Sequence, residues 1–313
     1  MPVAPAPAVE IDALHMRYGD TVAVDGLSMT VERGTITAVL GPNGAGKTTT
    51  LETCEGFRAP QQGTVRVLGL DPTRQRRELL PRIGVMLQSG GAWSGVRAVE
   101  MLEHIASLHA HPLPVPMLVE RMGLGECGRT PYRRLSGGQQ QRLGLAMAIV
   151  GRPELVFVDE PTAGMDVAAR RTTWDILGEL KTDGVTIVLT THYLEEAERL
   201  ADQVHVIDHG TLVASGSPFE LTRARGQATI RLVVTEPFPP EAPRSLSATL
   251  GPATEVQEIN PQSLLITGPA DASTLAKVSA WCEEQGVLPE SLSLGQRTLE
   301  DVFLQMTGRE FTP

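Results

Sequence analysis

The chain has 313 residues, 41% of them hydrophobic, and 27 Lys and Arg against 37 Asp and Glu give it a formal charge of −10. That length holds one large domain and a smaller one, and the acidic balance, −6 over residues 226–313 and −4 before them, excludes the basic footprint of a nucleic-acid binder. The longest fully apolar stretches, such as Leu143 to Val150, fall far short of the roughly 20 residues that a membrane helix needs.

The opening MPVAPAPAVE lacks a basic region followed by an apolar core, so no secretory signal is expected and the chain should stay in the cytosol. Cys54, Cys127 and Cys282 are far apart and lack CxxC spacing, which favours reduced thiols over a disulfide framework or a zinc site.

In chain order, three β-branched apolar runs recur between helix-like segments: TITAVLG at 35–41, LVFVDE at 155–160 and TIVLTT at 186–191. Such alternation predicts parallel strands with crossover helices. Between the first two runs lies a helix-like insertion, about 89–150, containing VRAVEMLEHIASLHA and a break at HPLPVP. After Thr191 come the helix-like LEEAERLAD and two short strands, VHVIDHG and TLVASG, that turn at Gly210 and close a first domain at 9–225. From Gly226 the texture changes to strand candidates ATIRLVV and SLLIT, a helix candidate over 272–285 and a short amphipathic helix in TLEDVFLQMTG. Residues 226–313 therefore read as a small α+β domain.

Chemistry concentrates at the ends of the apolar runs. Gly41-Pro42-Asn43-Gly44-Ala45-Gly46-Lys47-Thr48 fits the G-x-x-x-x-G-K-[ST] phosphate loop and lies between a strand and a helix candidate. Its glycines let backbone N–H groups wrap phosphates at a helix N-terminus, Lys47 adds a full charge, and Thr48 offers a hydroxyl to Mg²⁺. Asp159 and Glu160 close a buried strand, where two adjacent carboxylates are costly unless a cation or ligand compensates. Asp159 can hold Mg²⁺ and Glu160 can polarise an attacking water as general base. Ser136-Gly137-Gly138 at a helix start forms a second anion-binding nest.

Leu135-Ser136-Gly137-Gly138-Gln139, running on through Gln140, Gln141 and Arg142, resembles the signature of the ABC ATPases, and the likeness extends over residues 9–220. The resemblance implies an α/β fold: a P-loop ABC ATPase domain with a helical subdomain, followed here by the small C-terminal α+β domain. It implies ATP and Mg²⁺ as cofactors. Tyr18 matches the aromatic that stacks on adenine, and Thr49 joins the phosphate-loop set. Gln88 matches the glutamine that contacts Mg²⁺ and water. His192 matches the switch histidine at the γ-phosphate. Ala163-Gly164-Met165-Asp166 matches the loop that crosses the dimer interface, though Ser-Ala-Leu-Asp is the commoner form and Pro, not Val167, usually follows.

In style, TTTLETCEGF, PTAGMD and LEDVFLQMTGR resemble the daunorubicin-resistance type of drug exporter. That likeness implies a peripheral ATPase at the cytoplasmic face of the cell membrane, powering export of a drug, antibiotic or lipid-like substrate. Its partners would be a membrane-spanning permease and a second ABC subunit, in a head-to-tail homodimer that buries two ATP molecules. The alternative is a soluble ABC ATPase acting on a ribosome or nucleic acid; the paired ATPase domains, long coiled-coil insertions or basic arms usual there are absent from the sequence. Trp93, in the loop after Gln88, has two readings of equal weight: an aromatic near the permease-facing surface, or plain packing. His104, His109 and His111 read as solvent-facing residues in and after a helix that breaks at Pro112, rather than as metal ligands.

Overall fold

The computed structural model describes residues 6–87, 91–223, 228–269, 271–296 and 298–307. Its contacts divide the chain into two compact units, the first ending at Ser215 and the second beginning at Gly216. The compositional boundary at 225/226 falls later, so that the helix Pro218–Arg223 groups with the second unit.

Strands β1 (Val9–Tyr18), β2 (Thr21–Val31), β3 (Ile36–Leu40), β4 (Gln62–Val67), β5 (Ile83–Met86), β6 (Leu155–Asp159), β7 (Thr186–Thr191), β8 (Gln203–Asp208) and β9 (Thr211–Gly216) build the first unit's two sheets. The larger sheet has the order β5-β6-β7-β3-β8-β9, and its pairs from β5 through β8 are parallel. Every residue of β3, β6 and β7 is buried. Strands covered on both faces read as continuous apolar runs, which is why these three were visible in the sequence. The smaller sheet, β2-β1-β4, is antiparallel and carries register shifts. Its inward residues Leu14, Met16, Leu27 and Val65 join Leu51, Phe157 and Ile207 in one core. The insertion holds helices Ala98–Ser107, Val115–Arg121 and Gly137–Ile149.

The parallel register decides where the chemistry goes. Leu40 pairs with Thr191, and Asp159 with Thr190, so the C-terminal ends of β3, β6 and β7 are adjacent. In open parallel sheets that edge is where ligands bind.

The second unit contains β10 (Ala228–Val234), β11 (Glu255–Asn260), β12 (Ser263–Gly268) and β13 (Pro289–Gln296), with helices Ala242–Leu250 and Ala272–Gln285 between them. The order is β11-β12-β10-β13 and every pair is antiparallel. This strand-helix-strand-strand-helix-strand path is the ferredoxin-like arrangement. Ile230, Leu232, Val234, Leu264 and Ile266 pack beneath the two helices around Trp281. On the alternate positions, Arg231 pairs with Asp301 at 3.3 Å, fixing the last helix, Leu299–Thr307. Among the described residues no helix is long and apolar enough to cross a membrane.

Candidate nucleotide site

The loop after β3 bends back on itself, with Ala45 N–H donating to the Pro42 carbonyl at 3.1 Å, and delivers Lys47 as the first residue of helix Lys47–Cys54. Gly46 is obligatory: its φ is +100°, and a Cβ there would stand 2.3 Å from the Ala23 carbonyl oxygen. Lys47 is buried, and its Nζ donates to the carbonyls of Gly41 at 2.7 Å and Pro42 at 3.1 Å. Burial holds its pKa below the usual lysine value, against the pull of Glu160 and Asp159. The ammonium is thus already gathered into the loop, close to two carboxylates.

Asp159 and Glu160 are each 9% exposed. Burial raises the Asp159 pKa, with the neighbouring Glu160 adding to the rise; the Thr190 and Thr48 hydroxyls and Lys47 act against it. Thr190 Oγ1 donates to Asp159 Oδ1. Carboxylate and hydroxyl oxygens beside an uncomfortable buried charge suit a hard divalent cation, so Asp159 and Thr48 fit Mg²⁺. Glu160 has φ +49°, a conformation that side-chain-bearing residues rarely adopt. Its N–H donates to the Thr190 carbonyl at 3.1 Å, and its Oε1 lies 3.0 Å from Nδ1 of His192. The His192 ring lies against Tyr193, tilted by 43° with centroids 4.1 Å apart, and Tyr193 carries the Arg170 guanidinium 4.4 Å above its ring.

Gly41 to Thr49, Asp159, Glu160 and His192 therefore converge at one sheet edge. Tyr18 ends β1 and is 40% exposed. Gln88 lies outside the described residues.

The Ser136 segment is a separate feature. Ser136 caps helix Gly137–Ile149 in a reciprocal box: Gln139 N–H donates to Ser136 Oγ at 3.3 Å, and Ser136 N–H to Gln139 Oε1 at 2.9 Å. Asp166 caps helix Val167–Thr182 through Ala169 N–H at 2.8 Å. A cavity of about 400 Å³ opens between these helix starts, lined by Ser136, Gly138, Arg142, Met165 and Asp166 and by no residue of 41–49.

Trp93 is 60% exposed with its ring 5.1 Å from that of His104, and His109 lies against Gly151. No group of three or more metal-ligating residues occurs among the described residues.

Glu196 and Glu55 are buried acids that no motif announces. Glu196, wholly buried on helix Leu194–Leu200, accepts at Oε1 from Thr162 Oγ1 at 3.0 Å and Trp174 Nε1 at 2.9 Å. It joins the segment after His192 to both flanks of the Ala163–Asp166 loop. Glu55, closing the phosphate-loop helix, has its pKa pushed up to about 8 by burial first and by Asp159 and Glu52 next.

An acid whose folded pKa exceeds its unfolded value holds a proton that the unfolded chain has lost. Stability therefore falls as pH rises from the unfolded value of 4.5 to about 8. Glu55→Gln should remove this slope, its advantage over the parent widening by about 1.4 kcal/mol per pH unit across the window. Urea unfolding from pH 5 to 8.5 measures it; parallel profiles would contradict the assignment.

Known proteins share this arrangement. The family model described as ABC transporter matches residues 24–163, a span holding the phosphate loop, Ser136 to Gln139, Asp159 and Glu160. The chain is 37% identical over 317 residues to the daunorubicin/doxorubicin resistance ATP-binding protein DrrA of Streptomyces peucetius, covering 98% of this chain and 94% of that one. To the Nod factor export ATP-binding protein I of Ralstonia nicotianae it is 34% identical over 313 residues, covering 98% and 96%. Among solved structures, cbiO1 from Clostridium perfringens, part of the ABC transporter complex cbiONQ, superposes with a TM-score of 0.61 at 26% identity, covering 70% of this chain and 92% of that one. Such identity over nearly the full length of both relatives places this chain in the ABC transporter family, as an ATP-binding and ATP-hydrolysing subunit.

Proposed function

We propose that this ATPase powers the export of a drug, antibiotic or lipid-like molecule through a separate membrane-spanning permease, as a head-to-tail pair of identical chains at the cytoplasmic membrane face. The observation that carries the pairing is the separation of the two anion-binding elements: the cavity at Ser136 is bounded without the phosphate loop. Each is half of a site, and a second copy turned head to tail supplies the missing half. In that pair Lys47 and the loop N–H groups hold the phosphates of ATP, Ser136, Gly137 and Gly138 of the other copy close on the γ-phosphate, and Tyr18 stacks on adenine. Thr48 and Asp159 would hold Mg²⁺, which would offset phosphate charge there. Glu160 takes a proton from the attacking water, and His192, 3.0 Å from Glu160, keeps that carboxylate oriented.

ATP binds the closed pair better than the open one, which shifts the population towards closure, and hydrolysis releases it. Permease contact belongs to a cleft of about 500 Å³ between sheet and insertion, lined by apolar groups including Val85, Leu87, Ile105 and Met147. Exposed Phe57, Leu80 and Leu87 line it, and Trp93 follows shortly along the chain. The export direction and substrate class rest on the relatives, whose names specify daunorubicin resistance and Nod factor export.

Affinity purification of the full chain from gently solubilised membranes tests this reading. The expected result is a polytopic membrane protein in fixed stoichiometry whose presence stimulates phosphate release. Recovery with ribosomes or nucleic acid instead would overturn it.

A further inference from the structure

Tyr18 does not stand alone. The Arg58 guanidinium lies over its ring, 5.0 Å from the centroid, a cation–π geometry. Arg58 is itself tied down twice by Glu52: its Nε pairs with the Glu52 carboxylate, and its N–H donates to the Glu52 carbonyl at 3.2 Å. Glu52 belongs to the helix that Lys47 begins. Gln61, three residues beyond Arg58, grips the backbone just before Tyr18, accepting from Arg17 N–H at 2.8 Å and donating to the Arg17 carbonyl at 2.9 Å. Phe57 N–H, donating to the Glu52 carbonyl at 2.9 Å, stiffens the same turn.

We infer that Arg58 is a positioning residue for the nucleotide base: it clamps one face of Tyr18 and leaves the other to stack on a purine. The inference rests on Tyr18 being the base platform. Its physical content is preorganisation. An aromatic side chain 40% exposed at a strand end would otherwise lose rotamer freedom when a base settles on it. Here the Glu52–Arg58 pair, anchored to the phosphate-loop helix through Glu52, holds the ring, and the Gln61 clamp holds the backbone before it. The ring is thereby tied through Arg58 and Glu52 to the helix that Lys47 begins, a link that serves a ligand carrying a base and that a bare polyphosphate does not use.

Titration calorimetry on the full chain with two probes, ATP and inorganic tripolyphosphate, tests this. Arg58→Ala should weaken ATP binding by about three- to tenfold, the range of an exposed cation–π contact plus one freed side chain. Tripolyphosphate affinity should change by less than about twofold, since it lacks the base that this clamp serves. Arg58→Lys, which keeps a cation over the ring, should recover part of the ATP loss. Unchanged ATP affinity in Arg58→Ala would overturn the inference, and so would equal losses on both probes, which would mark a general distortion of the loop. Tyr18→Ala separates the two levels of the argument. If it weakens ATP alone while Arg58→Ala does nothing, only the role of Arg58 fails; if it leaves ATP affinity intact, the reading of Tyr18 fails with it.

Discussion

Glu160→Gln should bind ATP as the parent does and hydrolyse it about 10² to 10⁴ times more slowly, the usual contribution of a positioned general base. The substitution keeps the size of the side chain and its capacity to accept from His192, but removes the basic oxygen. Glu160 is suited to that role by its placement. It is 9% exposed, follows a fully buried strand and is held at φ +49° by its N–H bond to Thr190. A conformation that costs of order 1–3 kcal/mol persists only where the surroundings over-determine it. Phosphate release under saturating ATP and Mg²⁺ measures the effect, and turnover at the parental rate would remove Glu160 from the mechanism.

Lys47→Ala should fail one step earlier, in binding. The Lys47 ammonium now donates to the Gly41 and Pro42 carbonyls, holding the loop in shape before any phosphate arrives. Hydrogen bonds to charged groups contribute about 1.5–3 kcal/mol, so losing this donor should weaken ATP about tenfold to a hundredfold. Calorimetry with ATP reads it directly. Because burial already depresses the Lys47 pKa, removing the ammonium also relieves a desolvation cost, and the empty variant should remain folded. A variant that binds ATP with parental affinity would contradict the assignment.

The contrast between these variants follows the division between what was legible in the sequence and what was not. The phosphate loop, Asp159, Glu160 and His192 were legible because each terminates a strand buried on both faces, whose apolar run marks it, and because phosphate chemistry needs those residue types at fixed short spacing. The antiparallel β1, β2 and β4 were not. They alternate between buried and exposed positions, and register shifts in β1 break the period.

In the second unit, β10, β12 and the helix Ala272–Gln285 carried enough apolar signal to be read. Strand β11, EVQEIN, has no fully buried residue, and helix Ala242–Leu250 starts inside Pro-rich text that reads as loop although Pro is favoured at a helix start. The ferredoxin-like path was therefore hidden while its α+β character was not. In the site, the missing information was long-range. Arg58 meets Tyr18, and Glu196 meets Thr162 and Trp174, only because the sheets bring distant segments together. No local spacing announces such a pair.

The central claim is that one chain holds only half of each ATP site. Native mass spectrometry of the full-length Glu160→Gln protein in ATP and Mg²⁺ tests it most directly, since the slowed base should leave the closed state standing. The account predicts a species of two chains carrying two intact ATP molecules, which disappears when Ser136 and Gly137 are replaced by bulky residues. A single chain holding one ATP, with no species of twice the mass as protein concentration is raised, would contradict it.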